Sequence, residues 1–372
     1  MNDLKICTRC VMDSTDPMIM FDSDGVCNHC HEYDKQIGSL SKLTSDDSYL
    51  RTLVETIKNE GKGSAYDCVI GLSGGVDSTY VALLVKELGL RPIAVHLDNG
   101  WNSELAVQNI ENIVKALDID LYTYVINWIE FRDLQLSFLK ASTPDIEVPT
   151  DHAIFAILRK VAKKYGIRYI INGINVKTES HHASSWSQGH SDWKYIRDVQ
   201  KKFGKEKLNT YPHGSFYTIF EDRISNNWIN ILNYVDYNKI RAKKVIEEKL
   251  GWRDYGGKHF ESIYTRFYQG YILPVKFGYD KRKMHLSSLI CSGELTREDA
   301  FRELEKPPYS EMLQLQDREY ICKKLNISAA EFDGLMKLPP RSYFDYPSYY
   351  GRILKSSFYG HIVKFIKWLY RK

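Results

Sequence analysis

A glycine loop set between two apolar patterns constrains this chain more than any other feature. Residues 68–72 form an apolar run typical of a buried strand, and Ser73-Gly74-Gly75 end it. Apolar residues then recur at helical spacing from Val81 to Leu88, with Asp77 and Ser78 where a helix N-cap is expected and Gly89 at the helix end. Backbone N–H groups of such a loop converge near the positive end of the helix. The stretch therefore predicts a phosphate or pyrophosphate site.

The loop also resembles a known nucleotide-binding motif. Its hexapeptide, Ser73-Gly74-Gly75-Val76-Asp77-Ser78, is similar to the PP-loop of the ATP pyrophosphatases, and it lacks the Gly-Lys-Ser/Thr ending of a Walker loop. The resemblance implies that ATP is cleaved between its α- and β-phosphates, that a substrate oxygen is adenylated, and that a nucleophile then displaces AMP. From the residues alone, an ordinary glycine turn of an α/β protein remains the alternative.

Strand and helix patterns alternate through the first half of the chain. Strands are predicted at residues 68–72, 91–100, 121–126 and 168–173. Helices are predicted from the cap at Asp77 and Ser78 as far as Gly89, and at residues 103–117 and 151–165. This order predicts an α/β fold with a parallel, doubly wound sheet of the PP-loop (adenine nucleotide α-hydrolase-like) type. A linker helix near residues 50–57, between loop signals at Gly38-Ser39 and 61–64, leads into it.

We divide the chain into three regions. Residues 1–45 form a zinc-ribbon segment, residues 46–300 the PP-loop domain, and residues 301–372 a helical C-terminal region. An insertion at about 174–260 is rich in aromatic residues, which either hold a sugar or base or form core and interface.

Two C-x2-C pairs near the N-terminus have the spacing of a zinc site. Two thiolates from each turn can reach one tetrahedral ion, and four protein ligands predict a closed, structural centre. A redox or iron–sulfur role is the alternative. The predicted ligands are Cys7, Cys10, Cys27 and Cys30. The other three cysteines, Cys68, Cys291 and Cys322, are scattered, so no disulfide framework is expected, which favours a cytoplasmic protein.

Composition excludes some classes of function. The net charge of +4 over 372 residues does not argue for a nucleic-acid partner. The polar start has no signal-peptide pattern, and no apolar run approaches the roughly 20 residues that span a bilayer. Residues 353–372 are basic and amphipathic, which predicts either a packed helix or peripheral contact with the inner face of the membrane.

Several segments beyond residue 256 complete a wider resemblance. Together with the PP-loop and the cysteine pairs, Gly256-Gly257-Lys258-His259-Phe260-Glu261-Ser262, Tyr279-Asp280-Lys281-Arg282-Lys283 and Ser292-Gly293-Glu294 are similar to the N-acetyl sugar amidotransferases. That family belongs to bacterial surface-polysaccharide, including lipopolysaccharide O-antigen, and nonulosonic acid pathways. The resemblance implies that ATP, Mg²⁺ and ammonia convert the acetamido group of a diacetamido, nucleotide-linked sugar into an acetamidino group, with release of AMP and pyrophosphate.

The resemblance also implies roles for individual residues. Asp77 would hold Mg²⁺, which prefers oxygen ligands. Cations would offset the charge that grows at phosphorus, although a solvated surface role is the alternative for each of them. The pyrophosphate would lie on Ser73, Gly74, Gly75, Val76 and Ser78, the nucleotide would meet Asp98 and Gly173 at the strand ends, and the cations would be Lys258, Lys281 and Arg282. For Asp98, the alternative is a cap on the following helix.

The source of ammonia is expected to lie in other chains. No nucleophile elbow surrounds Cys68, Cys291 or Cys322. A glutaminase (HisH-like) and a synthase-like (HisF-like) subunit are therefore the expected partners, as the family resemblance also implies. Two other functions stay open: a tRNA-thiolating PP-loop enzyme, and a non-catalytic zinc-ribbon scaffold. The sequence does not identify the sugar.

Overall fold

A five-stranded parallel sheet forms the centre of the computed structural model, which describes residues 4–44, 46–215, 227–257 and 260–349. The strand order is β3-β2-β1-β4-β5, and every neighbouring pair is parallel. The predicted parallel sheet is confirmed, and the bounds of its first four strands lie within two residues of the predicted ones, whereas the fifth strand was not predicted. The strands are β1 (Cys68–Gly71), β2 (Pro92–Asp98), β3 (Asp120–Val125), β4 (Tyr169–Asn172) and β5 (Trp228–Asn230).

Fourteen α-helices occur in the described part of the chain. A π-helix at Tyr268–Phe277 and two short 3₁₀-helices accompany them. The α-helices are α1 (Asn28–Leu43), α2 (Ser48–Glu60), α3 (Val76–Glu87), α4 (Glu104–Leu117), α5 (Trp128–Ala141), α6 (Val148–Lys164), α7 (Val176–Glu179), α8 (Trp193–Phe203), α9 (Lys239–Leu250), α10 (Ile263–Phe267), α11 (Arg282–Cys291), α12 (Arg297–Glu305), α13 (Glu311–Leu325) and α14 (Ala329–Lys337).

Helices cover both faces of the sheet, as a doubly wound fold requires. Helices α3, α4 and α9 pack on one face through buried residues such as Ile110 and Ile246, whereas α6 packs on the other through Ile157 and Val161. The chain adds β2 and β3 on one side of β1 and returns to add β4 and β5 on the other. Ligands of such sheets bind where the strand order reverses, at the carboxyl ends of the strands. Here that point lies between β1 and β4.

The N-terminal ribbon is a pair of small turns held against distant segments. Bridges join Ile6 to Asp13 and Phe21 to Cys27, and the guanidinium of Arg297 donates to the carbonyls of Cys7 (2.7 Å) and Cys10 (3.1 Å). The cysteines of the ribbon share a buried cluster with Ala183 and Trp186 from the insertion. The expected combination of ribbon, PP-loop sheet and helical C-terminal region is confirmed.

Three local predictions were wrong. Helix α1 continues through Gly38-Ser39, which we had interpreted as a loop. A helical glycine costs only about 1 kcal/mol, and nothing lies within 4 Å of the Cβ position of Gly38. Helix α5 was not predicted, because side chains buried on most of its surface remove the amphipathic signal. Helix α3 begins at Val76, and its N-cap Gly75 lies two to three residues before the predicted cap at Asp77 and Ser78.

The basic amphipathic segment predicted at residues 353–372 lies outside the described residues, which end at residue 349. Among the described helices, none combines the length and the apolar character needed to cross a membrane.

Candidate functional site

The PP-loop connects β1 to α3 at the reversal point of the sheet. Gly74 has φ +80°, and a Cβ there would lie 2.8 Å from the carbonyl oxygen of Ala106, so both conformation and space require glycine. The hydroxyls of Ser73 and Ser78 lie 3.1 Å apart, and Ser78 Oγ accepts from the backbone N–H of Ser73 (3.3 Å). The loop thus presents two hydroxyls and the free N–H groups of a helix N-terminus to one point, which suits a pyrophosphate.

Residues from the insertion fix the loop from outside. The indole N–H of Trp252 donates to the carbonyl of Gly74 (2.8 Å), and Trp252 is buried. A Cβ on Gly75 would lie 3.2 Å from the hydroxyl oxygen of Tyr255 and 3.7 Å from Oε1 of Glu261. The loop is therefore enclosed by side chains that follow it by more than 170 positions.

Asp77 contacts two groups that the sequence did not predict. Its Oδ1 accepts a short hydrogen bond from the hydroxyl of Tyr237, and its Oδ2 lies 3.2 Å from Nζ of Lys239. Burial opposes the positive charge of Lys239, but the carboxylates of Asp77, Glu179 and Glu261 outweigh it and raise the pKa of Lys239. Burial and the charge of Asp77 also raise the pKa of Tyr237, so its hydroxyl stays protonated as a donor.

Three carboxylates therefore act on one partly buried ammonium group beside the PP-loop. Asp77, Glu179 and Glu261 all influence Lys239, and they come from α3, α7 and the segment before α10. Such oxygen ligands match the preference of Mg²⁺. Asp77 is therefore a carboxylate placed to hold such an ion beside a phosphate on the loop.

Of the other residues expected at the nucleotide, Gly173 adjoins the loop and Asp98 ends a neighbouring strand. A Cβ on Gly173 would lie 3.0 Å from Cβ of Asp77, so the end of β4 packs directly on the start of α3. Asp98 is the last residue of β2 and accepts from the N–H of Gly100 (2.9 Å). It does not cap the following helix, because Ser103 is the N-cap of α4. The capping alternative for Asp98 was wrong.

Two of the three predicted cations, Lys281 and Arg282, lie within the described residues, and both contact carboxylates other than Asp77. Lys281 lies 3.9 Å from a carboxylate oxygen of Asp145. The guanidinium of Arg282 pairs with Asp280 and donates to the carbonyls at the end of α12, so its donors are already engaged. Lys258 lies outside the described residues. In this arrangement Lys239, and not Arg282, is the cation beside the PP-loop.

A cavity of about 760 Å³ opens next to these residues, and its volume falls within the range of small-molecule sites. The residue pair Gly256-Gly257, which follows Tyr255, and Glu179, which acts on Lys239, both belong to its wall. Other polar residues that line it are Asp151, His181, His182, Arg266, Gln269, Lys281, Arg282, His285 and Glu303. The cavity thus extends from the carboxyl edge of the sheet into the C-terminal region.

A buried polar network lies behind Lys281 and Asp151 of this wall. Asp145 accepts from Ser187 (2.5 Å) and pairs with His190 (3.1 Å). Burial disfavours the charge of Asp145, but Lys281 and His190 hold the pKa of that carboxyl well below its usual range. Burial and the nearby charge of Asp151 raise the pKa of Glu147 to about 8.

The four N-terminal cysteines converge as metal ligands do. Their Sγ atoms lie within 4.8 Å of one another, with separations of 3.7 Å for Cys10–Cys27 and for Cys27–Cys30 and 3.9 Å for Cys7–Cys30. A tetrahedron with Zn–S bonds of about 2.3 Å has edges of about 3.8 Å. Backbone N–H groups point at Cys7 Sγ, as they do at thiolates. The donor set therefore fits a tetrahedral zinc ion.

Cys291 is not the isolated thiol that its late position suggested. Its Sγ lies 3.7 Å from Sγ of Cys30 and 3.9 Å from Nε2 of His181. Sequence spacing carries no signal for this approach, because the three residues belong to three separate segments.

Comparison with known proteins agrees with the fold. A family model described as NAD synthase matches residues 49–146, which include the PP-loop. A second, described as LPS biosynthesis protein WbpG-like, C-terminal domain, matches residues 261–362. The first match contains the PP-loop, and the second contains the segments at residues 279–283 and 292–294, on which the predicted resemblance depends.

Individual relatives are more distant. The chain is 26% identical over 313 residues to the uncharacterised protein MJ1599 of Methanocaldococcus jannaschii, which covers 81% of this chain and 93% of that protein. It is 26% identical to a tRNA-specific 2-thiouridylase of Moorella thermoacetica over 48% of this chain and 50% of the relative. An NMN synthetase structure from Francisella tularensis matches with a TM-score of 0.31 and 16% identity over 84% of this chain and 98% of that one.

The NAD synthase match over residues 49–146 and the PP-loop geometry place this part of the chain in a superfamily of ATP-utilising enzymes, and the second family match covers residues 261–362. The chain therefore combines a PP-loop domain with a C-terminal domain similar to that of WbpG-like LPS biosynthesis proteins.

Proposed function

We propose that this protein is an ATP-dependent amidotransferase that converts the acetamido group of an N-acetylated sugar into an acetamidino group. The observation that carries the proposal is that the PP-loop and the cavity adjoin each other at one edge of the sheet. Tyr255 touches the PP-loop while Gly256-Gly257 line the cavity, and Glu179 lines the cavity while it acts on Lys239. A reaction between ATP and a second substrate needs such adjacent sites.

The proposed chemistry begins at the amide oxygen of the sugar. This oxygen attacks the α-phosphorus of ATP, an O–P bond forms, and the bond to the β-phosphate breaks. Pyrophosphate leaves onto the backbone N–H groups and hydroxyls of Ser73 and Ser78, where the helix N-terminus stabilises its charge. Lys239 supplies a partly buried positive charge beside this position.

The second step replaces oxygen by nitrogen. Ammonia attacks the carbon of the adenylated imidate, a C–N bond forms, and the C–O bond breaks with AMP as the leaving group. The protein needs no covalent nucleophile for this step, only a pocket that excludes water from the imidate. Mg²⁺, held by Asp77 with Glu179 or Glu261, would supply charge neutralisation at the phosphates.

The remaining cofactor and partners are parts of the same proposal. Zinc would occupy the Cys7, Cys10, Cys27 and Cys30 site in a structural role, since all four positions are filled by protein. A glutaminase (HisH-like) and a synthase-like (HisF-like) subunit would deliver ammonia. The reaction would serve the synthesis of lipopolysaccharide or another surface glycan. It would take place in the cytoplasm, at the inner face of the membrane.

The test is product analysis by mass spectrometry. Purified protein would receive ATP, Mg²⁺, ammonium and a panel of diacetamido sugars, free and nucleotide-linked. We expect AMP, pyrophosphate and a sugar whose mass has changed by the difference between oxygen and NH, and we expect none of these with Asp77→Asn. ADP and phosphate as products, or AMP with every sugar unchanged, would contradict the proposal.

The 2-thiouridylase relatives make tRNA thiolation the second candidate. Cys68 starts β1 at the amino end of the sheet and is buried, and Cys322 is buried in α13. None of the seven cysteines, all of which lie in the described part of the chain, lines the cavity. A thiolation mechanism that uses a cysteine therefore lacks one at this edge. Incorporation of sulfur into tRNA by the purified chain would favour the second candidate instead.

A further inference from the structure

We propose that the ribbon holds a second zinc ion, bound by Cys30, His181 and Cys291 and sharing the Cys30 thiolate with the first. The three donor atoms lie within 4.8 Å of one another. Cys30 and His181 are buried, and Cys291 is half-buried. This site does not depend on the reaction proposed above.

The distances between the donors are those of a tetrahedral metal centre. Sγ of Cys30 lies 3.7 Å from Sγ of Cys291 and 3.8 Å from Nε2 of His181, and the third edge is 3.9 Å. Tetrahedral zinc–thiolate geometry requires edges of about 3.8 Å. The same spacing occurs within the four-cysteine set, so two tetrahedra meet at Cys30.

His181 is oriented as a metal-binding histidine is. Its Nδ1 lies 3.1 Å from Oγ of Ser180 and 3.2 Å from Oγ of Ser288. Ser288 Oγ donates to the carbonyl of Met284 and accepts from the backbone N–H of His181 (3.1 Å), which leaves one lone pair for the Nδ1 proton. A proton on Nδ1 leaves the lone pair of Nε2 directed at the two thiols, as outer hydrogen bonds do around bound metals.

Charge favours a second cation. One zinc ion with four thiolates carries a formal charge of minus two in a buried site, and an ionised Cys291 would add a third negative charge. A second zinc ion reduces the formal charge of the five thiolates and two metals to minus one. Three protein donors leave the fourth position of this ion to solvent.

The second ion would join three parts of the chain that are distant in sequence. Cys30 lies in the first turn of α1, His181 follows α7, and Cys291 ends α11. His181 also lines the 760 Å³ cavity. The metal would therefore fix the ribbon, the segment that carries Glu179 and the C-terminal region in one arrangement around the cavity.

Metal analysis of the untagged, full-length chain tests the proposal. We expect two zinc ions per chain in the wild type, one in Cys291→Ser and one in His181→Gln. The control Cys322→Ala, which removes a buried thiol on α13, should keep two. One zinc ion per chain in the wild type, unchanged in Cys291→Ser, would overturn the proposal, as would iron with acid-labile sulfide.

Cobalt substitution of the wild-type protein tests whether two metal ions share the Cys30 thiolate, and it does not depend on the folding of any variant. The first equivalent of Co²⁺ should give a paramagnetic resonance signal with thiolate-to-metal absorption. The second equivalent should weaken that signal, because a shared thiolate couples the two spins. A titration that ends at one equivalent would contradict the shared site.

Discussion

The ammonium group of Lys239 lies 3.2 Å from Oδ2 of Asp77, although 162 residues separate them in the chain. Lys239 thereby brings a partly buried positive charge to the start of the PP-loop helix. A hydrogen bond to a charged group contributes about 1.5–3 kcal/mol, which corresponds to roughly a 10- to 100-fold change in rate. We expect Lys239→Met to lower the rate of pyrophosphate release by this factor.

The matched control for that change is Lys249→Met on the same helix. Lys249 pairs with Glu87 on the surface, where both side chains are about half exposed, and such pairs contribute little. Both variants would be compared in a coupled pyrophosphate assay. An equal loss of activity in the two would mean that Lys239 acts only through the stability of α9.

Gly74 gives a test of the loop itself. The Ala side chain of Gly74→Ala would combine φ +80° with a 2.8 Å approach to the carbonyl of Ala106, so the loop must move. We expect nearly complete loss of ATP-dependent turnover. Gly63→Ala is the control, because Gly63 has φ +83° and nothing within 4 Å of its Cβ position.

The two glycine variants separate the cost of the left-handed backbone conformation, which both share, from the displacement of the PP-loop, which only Gly74→Ala causes. A non-glycine residue in the left-handed region costs roughly 1–2 kcal/mol at either position. Thermal unfolding should therefore show a similar or larger loss for Gly74→Ala, but turnover of Gly63→Ala should match the wild type. Normal turnover by Gly74→Ala would show that the loop does not hold the phosphates.

The loop and the cysteine pairs were predictable because each is specified within a few residues. Strand, glycines and helix follow one another directly, and each C-x2-C turn positions its own two thiols. The parallel sheet followed from the alternation of strands and helices. In each case local pattern and tertiary structure agree.

Contacts made by packing were not predictable in this way. Lys239 and Cys291 reach their sites through the packing of α9 and α11, which no local pattern records. One signal did exist for Lys239: it is the first residue of α9, after the N-cap Asn238. A positive charge there opposes the helix dipole and indicates a negative partner elsewhere.

Glu147 should make stability depend on pH. Its pKa rises from an ordinary 4.5 to about 8 through burial and the charge of Asp151. Between these values the folded state holds a proton that the unfolded state has released, so stability falls as pH rises through this window, by at most ~1.4 kcal/mol per pH unit.

Urea unfolding of the wild type and Glu147→Gln at pH 5 and pH 8 would measure this effect. Glutamine keeps an oxygen for the hydroxyl of Thr265, which lies 2.8 Å from Oε2 of Glu147. We expect Glu147→Gln to gain stability relative to the wild type as pH rises. A difference between the two proteins that does not vary with pH would show that Glu147 is ionised when buried.

Lys281 tests whether the cavity binds the second substrate. It lines the cavity wall and lies 3.9 Å from a carboxylate oxygen of Asp145. We expect Lys281→Met to raise the KM for the sugar about 10-fold, the loss of one charged contact, and to leave the KM for ATP unchanged. Lys306→Met, which removes an exposed lysine paired with Glu303, is the control. A rise in the KM for ATP alone would assign Lys281 to the nucleotide.

Removal of metal should loosen the N-terminal region selectively. A short segment with few apolar contacts depends on its metal to fold. After treatment with a strong zinc chelator, we expect faster hydrogen exchange in residues 4–44 and unchanged exchange in β1. Added zinc should restore protection, and unchanged exchange in the ribbon would contradict a structural metal.

The bond between Trp252 and Gly74 spans 178 positions and has a consequence for synthesis of the chain. The ribosome releases the PP-loop long before it makes the tryptophan that holds the loop from outside. A nascent chain that ends before residue 252 carries the motif without its supporting contacts. ATP binding should therefore appear late in translation, and fragments that stop within the insertion should fail to bind nucleotide even though their motif is complete.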